Sequence, residues 1–264
     1  MDGNMEERVP GRRGSALVAI LVAVAAGVLV MSWSSAFAAP IEVGVHGGLS
    51  IPNIRGNTEL SRHYESRLGP FFGLTADFPL AGLFHLCAEI NYASQGGRRD
   101  GLQPIPAGQM EGLPFPPGLM LYADFDNETV LDYLEVPILL RAISGGRFRL
   151  FAEAGPFVGF RVRSITITGG TGPLCLDPAG TMPLPMDPVC FDNRTNISDD
   201  VHSVNAGFAV GAGVQSRLGP GNVILGLRVS YGLTNIQPNP EVNGRNHTGA
   251  LVILAGYTLP LGRF

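Results

Sequence analysis

The chain contains no lysine: its 18 basic residues are all arginine, set against 22 acids for a formal charge of −4. Mild acidity without a basic cluster argues against a nucleic-acid partner. After Met31 no apolar run approaches the roughly 20 residues of a spanning helix, so any membrane passage must be made by strands. Cysteine is scarce, at three residues, with no Cys-x-x-Cys pair, and the histidines are scattered, so neither a metal site nor a cofactor is expected. A Gly-x-Ser-x-Gly nucleophile elbow is also missing. His202 and Ser203 are adjacent on an extended segment and point to opposite faces. His46 and Ser50 share a face but are too far apart to be direct neighbours. No enzyme is expected from this inventory.

What is present begins with Arg8, Arg12 and Arg13, an apolar run from Ala16 to Met31, and the small residues Ala36 and Ala38. This is the pattern of a secretory signal peptide, residues 1–38, with cleavage after Ala38. Residues 39–264 are long enough for one large all-β domain. In an exported chain disulfides are permitted. Cys175 and Cys190 share a Pro-rich connection and are expected to bridge, contributing about 3 kcal/mol, whereas Cys87 falls within a strand pattern and is expected to stay reduced.

The 36 glycines spread through alternating segments and the 21 prolines gather between them, as in patterned structure rather than low complexity. In Tyr133-Leu134-Glu135-Val136-Pro137-Ile138-Leu139-Leu140-Arg141, the residues Leu134, Val136, Ile138 and Leu140 share one face of a strand. Tyr133, Glu135 and Arg141 share the other. The same alternation recurs around Val43–Leu49, Phe72–Phe78, Phe84–Tyr92, Leu150–Val162, Val204–Val214, Val223–Leu233 and Leu251–Leu259. Pro137 removes a ladder donor in mid-strand, and a bulge is expected there.

Eight strands, with connections that alternate between long and short, predict an eight-stranded antiparallel transmembrane β-barrel with long external loops and short periplasmic turns. The apolar faces carry no charge while the opposite faces carry acids, arginines and glycines. A soluble barrel would invert that arrangement, so the greasy face is assigned to lipid. The inward set is then Glu42, Asp77, Glu89, Glu135, Glu153, Arg141, Arg149, Arg161 and Arg228. A narrow interior requires such charges to pair, and Glu89, Glu135, Glu153, Arg141, Arg149, Arg161 and Arg228 are the expected ion-pair network, with Glu135 assigned as the neighbour of Arg228. The long connection holding Ile105, Met110, Phe115 and Met120 is apolar for an external segment. It either binds a hydrophobic ligand or buries those residues itself.

Four segments and the terminal residue carry a family resemblance. Val43-Gly44-Val45-His46-Gly47-Gly48-Leu49, the Tyr-Leu-Glu-Val-Pro segment Tyr133–Pro137, and Phe151-Ala152-Glu153-Ala154-Gly155-Pro156 are similar to strands of the small outer-membrane β-barrel domain family, often labelled porin-like and including barrels of the outer-membrane protein A type. Ser230-Tyr231-Gly232-Leu233-Thr234-Asn235-Ile236 resembles the segment leaving that family's seventh strand. Phe264 resembles the terminal aromatic residue by which the barrel assembly machinery recognises its clients. The resemblance implies a monomer in the outer membrane of a double-membraned bacterium, in contact with lipid and lipopolysaccharide. It does not imply one activity. A structural or surface-binding role with a side-chain-filled polar lumen is the expectation; the alternative is a low-conductance pore or conduit for small hydrophobic molecules.

Overall fold

The computed structural model describes residues 40–58, 63–110, 116, 118–146, 148–239 and 244–261. The expected signal peptide and Phe264 lie outside the described residues. The strands in chain order are β1 (Glu42–Gly56), β2 (Gly69–Ala81), β3 (Phe84–Arg99), β4 (Leu102–Pro106), β5 (Met120–Asp124), β6 (Asp126–Ile143), β7 (Phe148–Gly169), β8 (Thr171–Gly172), β9 (Val189–Cys190), β10 (Asn193–Asn196), β11 (Val204–Leu218), β12 (Gly221–Gly232) and β13 (Asn246–Pro260).

Eight of them close a ring in the order β1-β2-β3-β6-β7-β11-β12-β13, and β13 returns to pair with β1 over the whole of β1's length. Every neighbouring pair is antiparallel. Closure gives each strand two partners, as an apolar surrounding demands. The connections 82–83, 144–147 and 219–220 are short and lie at one end. Those at the other end, 57–68, 100–125, 170–203 and 233–245, are long and carry the hairpin β4–β5 and the small ladder β8–β9.

Side-chain direction follows the period of two. Val45, Leu74, Ile90, Leu140, Leu150, Val210, Leu227 and Ile253 are exposed on the outer wall, whereas Asp77, Glu89, Arg141, Glu153 and Arg228 are buried inside it. This is a wall for lipid, inverted relative to a soluble barrel.

β3, β6 and β7 run further toward the long-loop end than hydrophobic alternation marks. Residues such as Gln95, Arg99, Asn127, Thr129, Thr166 and Thr168 continue the ladders with polar side chains on the inner face, so the apolar half of the alternation fades where the wall leaves the lipid. The bulge expected at Pro137 is absent. Pairing with β3 passes from Ala88↔Ile138 to Asn91↔Glu135 without a change of register, so the lost N–H interrupts the ladder but does not shift it. The register shift lies instead between Asp132 and Tyr133, which face Arg163 and Arg161, leaving Val162 over. That extra residue turns Arg161 and Arg163 to opposite sides of the wall. Arg161 donates to the Val201 carbonyl, and Arg163 Nε donates to Asp132 at 2.8 Å.

The outer-wall assignment makes a depth-dependent expectation. Leu227 lies in the middle of β12 and Leu218 at the turn end of β11. Leu227→Arg should cost about 2–4 kcal/mol in equilibrium unfolding from lipid vesicles, and Leu218→Arg no more than about 1 kcal/mol. Equal costs would mean that the middle of the wall does not face hydrocarbon.

Candidate functional site

Halfway along the interior, cross-strand pairing brings five charged groups together. Arg141 and Glu153 are direct partners on β6 and β7. Arg141 Nη2 lies 2.7 Å from Glu153 Oε2, and its Nη1 donates to Asp77 Oδ2 at 3.0 Å. Arg228 donates from Nη1 to Glu89 Oε2 and from Nη2 to Glu153 Oε1, both at 2.6 Å, with Nη2 also 2.9 Å from Glu89 Oε1. The guanidinium of Arg141 stacks on the Phe151 ring, 4.9 Å from its centroid.

Gly211 makes the arrangement possible. It stands on β11 directly between Glu153 on β7 and Arg228 on β12. A Cβ there would meet Glu153 Oε1 at 2.9 Å and the Leu227 carbonyl at 3.0 Å, so its absence lets an acid and an arginine two strands apart reach each other. Three carboxylates, Asp77, Glu89 and Glu153, face two guanidiniums, and His85 supplies a further polar partner, with Nδ1 2.5 Å from Asp77 Oδ1. His46 bonds through Nε2 to Asn91 Oδ1 at 2.8 Å, and Asn91 donates to Glu89 at 2.8 Å. Its supposed companion Ser50 has a buried hydroxyl with no partner.

Several residues expected in this network lie elsewhere. Glu135 makes no ion pair with Arg228: it is buried one layer toward the long loops, where Gln95 Nε2 donates to it at 3.0 Å, and the two border one small space. Arg149 sits at the turn end and donates to Asn222 Oδ1 at 2.7 Å, beside Glu42, which accepts from Asn222 at 2.9 Å and Thr258 at 2.7 Å. Arg161 lies at the far mouth. Glu135, Arg149 and Arg161 share the inner face, but strand stagger puts them at different heights. Asp77 and His85 belong to the cluster although neither was assigned to the network. Their face was readable; their height was not.

Above the layer of Glu135, Ile54, Leu131, Tyr133, Val201 and Ile236 form a buried apolar cluster inside the long-loop end. Over it lies a cavity of about 470 Å³, lined by residues of the β3, β6 and β7 extensions and of the loops. The loop segment around Ile105 buries its own apolar residues: Ile105, Ala107, Leu121, Ala123 and Leu174 form a separate core, with Met110, Phe125 and Phe191 packed against it.

The family model of the outer membrane protein beta-barrel domain matches residues 33–237. The chain belongs to this family. The barrel is thereby placed in the outer membrane of a double-membraned bacterium, with its lipid-facing strands as transmembrane segments. Among solved structures it is similar to Neisserial surface protein A, at 11% identity over 84% of this chain and 97% of that one, with a TM-score of 0.35. It is also similar to Ail, the attachment invasion locus protein of Yersinia pestis, in complex with the heparin analogue sucrose octasulfate (12% identity, 83% and 99% covered, TM-score 0.32). The toluene transporter TbuX of Ralstonia pickettii is a further match (7% identity, 84% and 90% covered, TM-score 0.19). No curated protein sequence matches the chain.

The cysteines of this outer-membrane barrel correct one expectation. Cys175 and Cys190 are not bridged, and all three thiols are free. Cys175 is buried in the loop core, its Sγ 4.0 Å from the Pro173 carbonyl, whereas Cys190 on β9 is exposed, so the two side chains serve different environments. Cys87 is buried in the wall's interior beside Thr75 Oγ1, at 3.2 Å. On intact cells a membrane-impermeant maleimide should therefore label Cys190 and leave Cys87 and Cys175 unmodified, read by peptide mass mapping. Labelling of Cys87 would contradict its placement inside the wall.

The cluster makes a second expectation. Arg228→Ala leaves Glu89 with Arg141, at 3.8 Å, as its guanidinium partner, beside the Asn91 amide at 2.8 Å. The loss should be roughly 3–5 kcal/mol of unfolding free energy, as for a broken buried pair. Adding Glu89→Gln should recover part of it, and adding Glu135→Gln, at a position with no hydrogen bond to Arg228, should recover less.

Proposed function

We propose that this barrel is a closed membrane anchor, structural or surface-binding in role, that displays a folded external loop assembly and does not conduct. The observation that carries the reading is the ion cluster at mid-height. The spaces beside it, one bounded by Glu89, Arg141, Glu153 and Arg228 and another by Asn91, Gln95, Glu135 and Phe157, each measure about 10 Å³. That is about the room of one water molecule. The side chains of Asp77, Glu89, Glu153, Arg141 and Arg228, with His85 and Asn91 as further partners, thus fill the lumen at this height.

A conduit for small hydrophobic molecules would be favoured by loops that offer apolar residues to an incoming ligand. Here Ile105, Leu121 and Leu174 are buried in a core of the loops' own making. The reading assigns no catalytic step to the protein. Its partners are the surrounding lipid and lipopolysaccharide, and the barrel assembly machinery through Phe264. The barrel acts as a monomer, since its strands have no edge left to share.

Purified barrel in a planar lipid bilayer should show no steady conductance. Sustained, ion-selective current from the wild-type protein would overturn the closed interior and put a water-filled pore in its place.

A further inference from the structure

The outer wall is apolar up to a definite height, and on β13 and β1 the residues that end it at the long-loop side are basic. The outward series of β13 runs from Tyr257 through Ala255, Ile253, Leu251 and Gly249 to His247. At about 3.4 Å per residue and a tilt of about 40°, that run climbs about 26 Å, against about 25 Å for the apolar band of such barrels. Tyr257 therefore marks one water boundary and His247 the other.

His247 is the direct partner of Arg55 on β1. Its ring stacks on Tyr231 of β12 with centroids 6.0 Å apart, and the Arg55 guanidinium carbon lies 5.9 Å from the centroid of the same tyrosine. Three strands thus bring Tyr231, His247 and Arg55 to one outward spot, above the exposed Val229, Leu251 and Leu49. Arg245 adds a second exposed guanidinium. It precedes the inward Asn246, and its N–H donates to Asn57 Oδ1 at 2.7 Å, which sets it one outward step above the pair of His247 and Arg55. A Cβ at Gly244 would run into the side chains of Asn57 and Thr58, so the two segments are closely packed there.

Among the described residues neither Arg55 nor Arg245 has an ion pair, although other arginines of the same end do. Arg67 lies 2.7 Å from Glu128, Arg98 2.8 Å from Asp100 and Arg163 2.8 Å from Asp132. Like charges on diagonal positions of neighbouring strands repel. An anion between them removes that repulsion, and a guanidinium fork holds phosphate through paired N–H donors.

We propose that Arg55 and Arg245, with Tyr231, form a docking site for a phosphate group of the outer-leaflet saccharolipid, the lipid anchor of lipopolysaccharide. The proposal deepens the reading above by giving the lipopolysaccharide contact named there a place on the barrel. Height selects the occupant. A soluble anion has no use for an apolar wall beneath its site, whereas a lipid phosphate sits at the edge of the hydrocarbon with its acyl chains below. Leu49, Val229 and Leu251 offer those chains a surface, and Tyr231 combines an apolar ring with a polar hydroxyl, as suits the boundary.

The test titrates the folded full-length barrel in detergent micelles with bisphosphorylated lipid A, read by native mass spectrometry as lipid bound per barrel. Saturable binding is expected, weakened severalfold in Arg55→Gln and in Arg245→Gln and by roughly tenfold or more in the double variant. Lipid A stripped of its phosphates should bind the wild type as weakly as lipid A binds the double variant. Arg217→Gln, an exposed charge-matched control at the turn end, should leave the affinity unchanged. Each variant is checked for folding by its gel mobility before and after boiling, and if the double variant does not fold, the two single variants decide. Unchanged affinity in the folded variants, an equal loss in Arg217→Gln, or no preference for the phosphorylated lipid would each overturn the site. Displacement of lipid A by millimolar inorganic phosphate would overturn it too, in favour of a site for soluble anions. The closed interior is judged separately: a conducting barrel that holds lipid A through these arginines loses only the closed lumen, and a silent barrel whose lipid binding ignores them loses only this site.

Discussion

Hydrocarbon offers nothing to a backbone N–H or C=O, so every such group within the membrane must find its partner in the protein itself. In this chain the obligation is met when β13 returns to β1, and the remaining architecture follows from that closure. A closed wall has an inside and an outside. The period of two then sorts every strand residue to one or the other, which is why Leu225, Leu227 and Val229 face lipid while Arg228 between Leu227 and Val229 cannot.

Inward charge is the second consequence. Once Arg228 is enclosed, it is stable only against carboxylates, and the narrow interior offers Glu89 and Glu153. The same narrowness sets a steric condition, met by Gly211, that removes a side chain where two long ones must meet. Fold and cluster are therefore one constraint seen at two scales. A register that misplaced Gly211 by one residue would put its neighbour's side chain between Glu153 and Arg228.

At the external end the constraint relaxes. Water is available there, so β6 and β7 continue with Asn127, Thr129, Thr166 and Thr168, the loops build a core of their own around Leu121 and Leu174, and backbone groups can pair locally in β4–β5 and β8–β9. The cysteines divide along the same line. Cys87 is held inside the wall, Cys175 in the loop core, and Cys190 at the surface.

The alternation of Leu134, Val136, Ile138 and Leu140 against Tyr133, Glu135 and Arg141, repeated in seven other segments, was sufficient to assign faces, strand number and the lipid side, because it depends only on residue spacing along each strand. The polar extensions were not legible, since their residues alternate without a hydrophobic face, and the hairpin β4–β5 was not, since its strands are five residues each and Pro104 and Pro106 interrupt the first. Which inward charges meet was not legible either. Glu135 and Glu153 are equivalent in sequence, each an acid on an inner face, yet one meets Gln95 and the other two arginines. That choice depends on the stagger between strands, a relation between distant segments that only closure sets. The sequence by itself determined which side of the wall each residue occupies; only the tertiary structure decided its height, and with it every pairing across the interior, because height is measured against neighbouring strands.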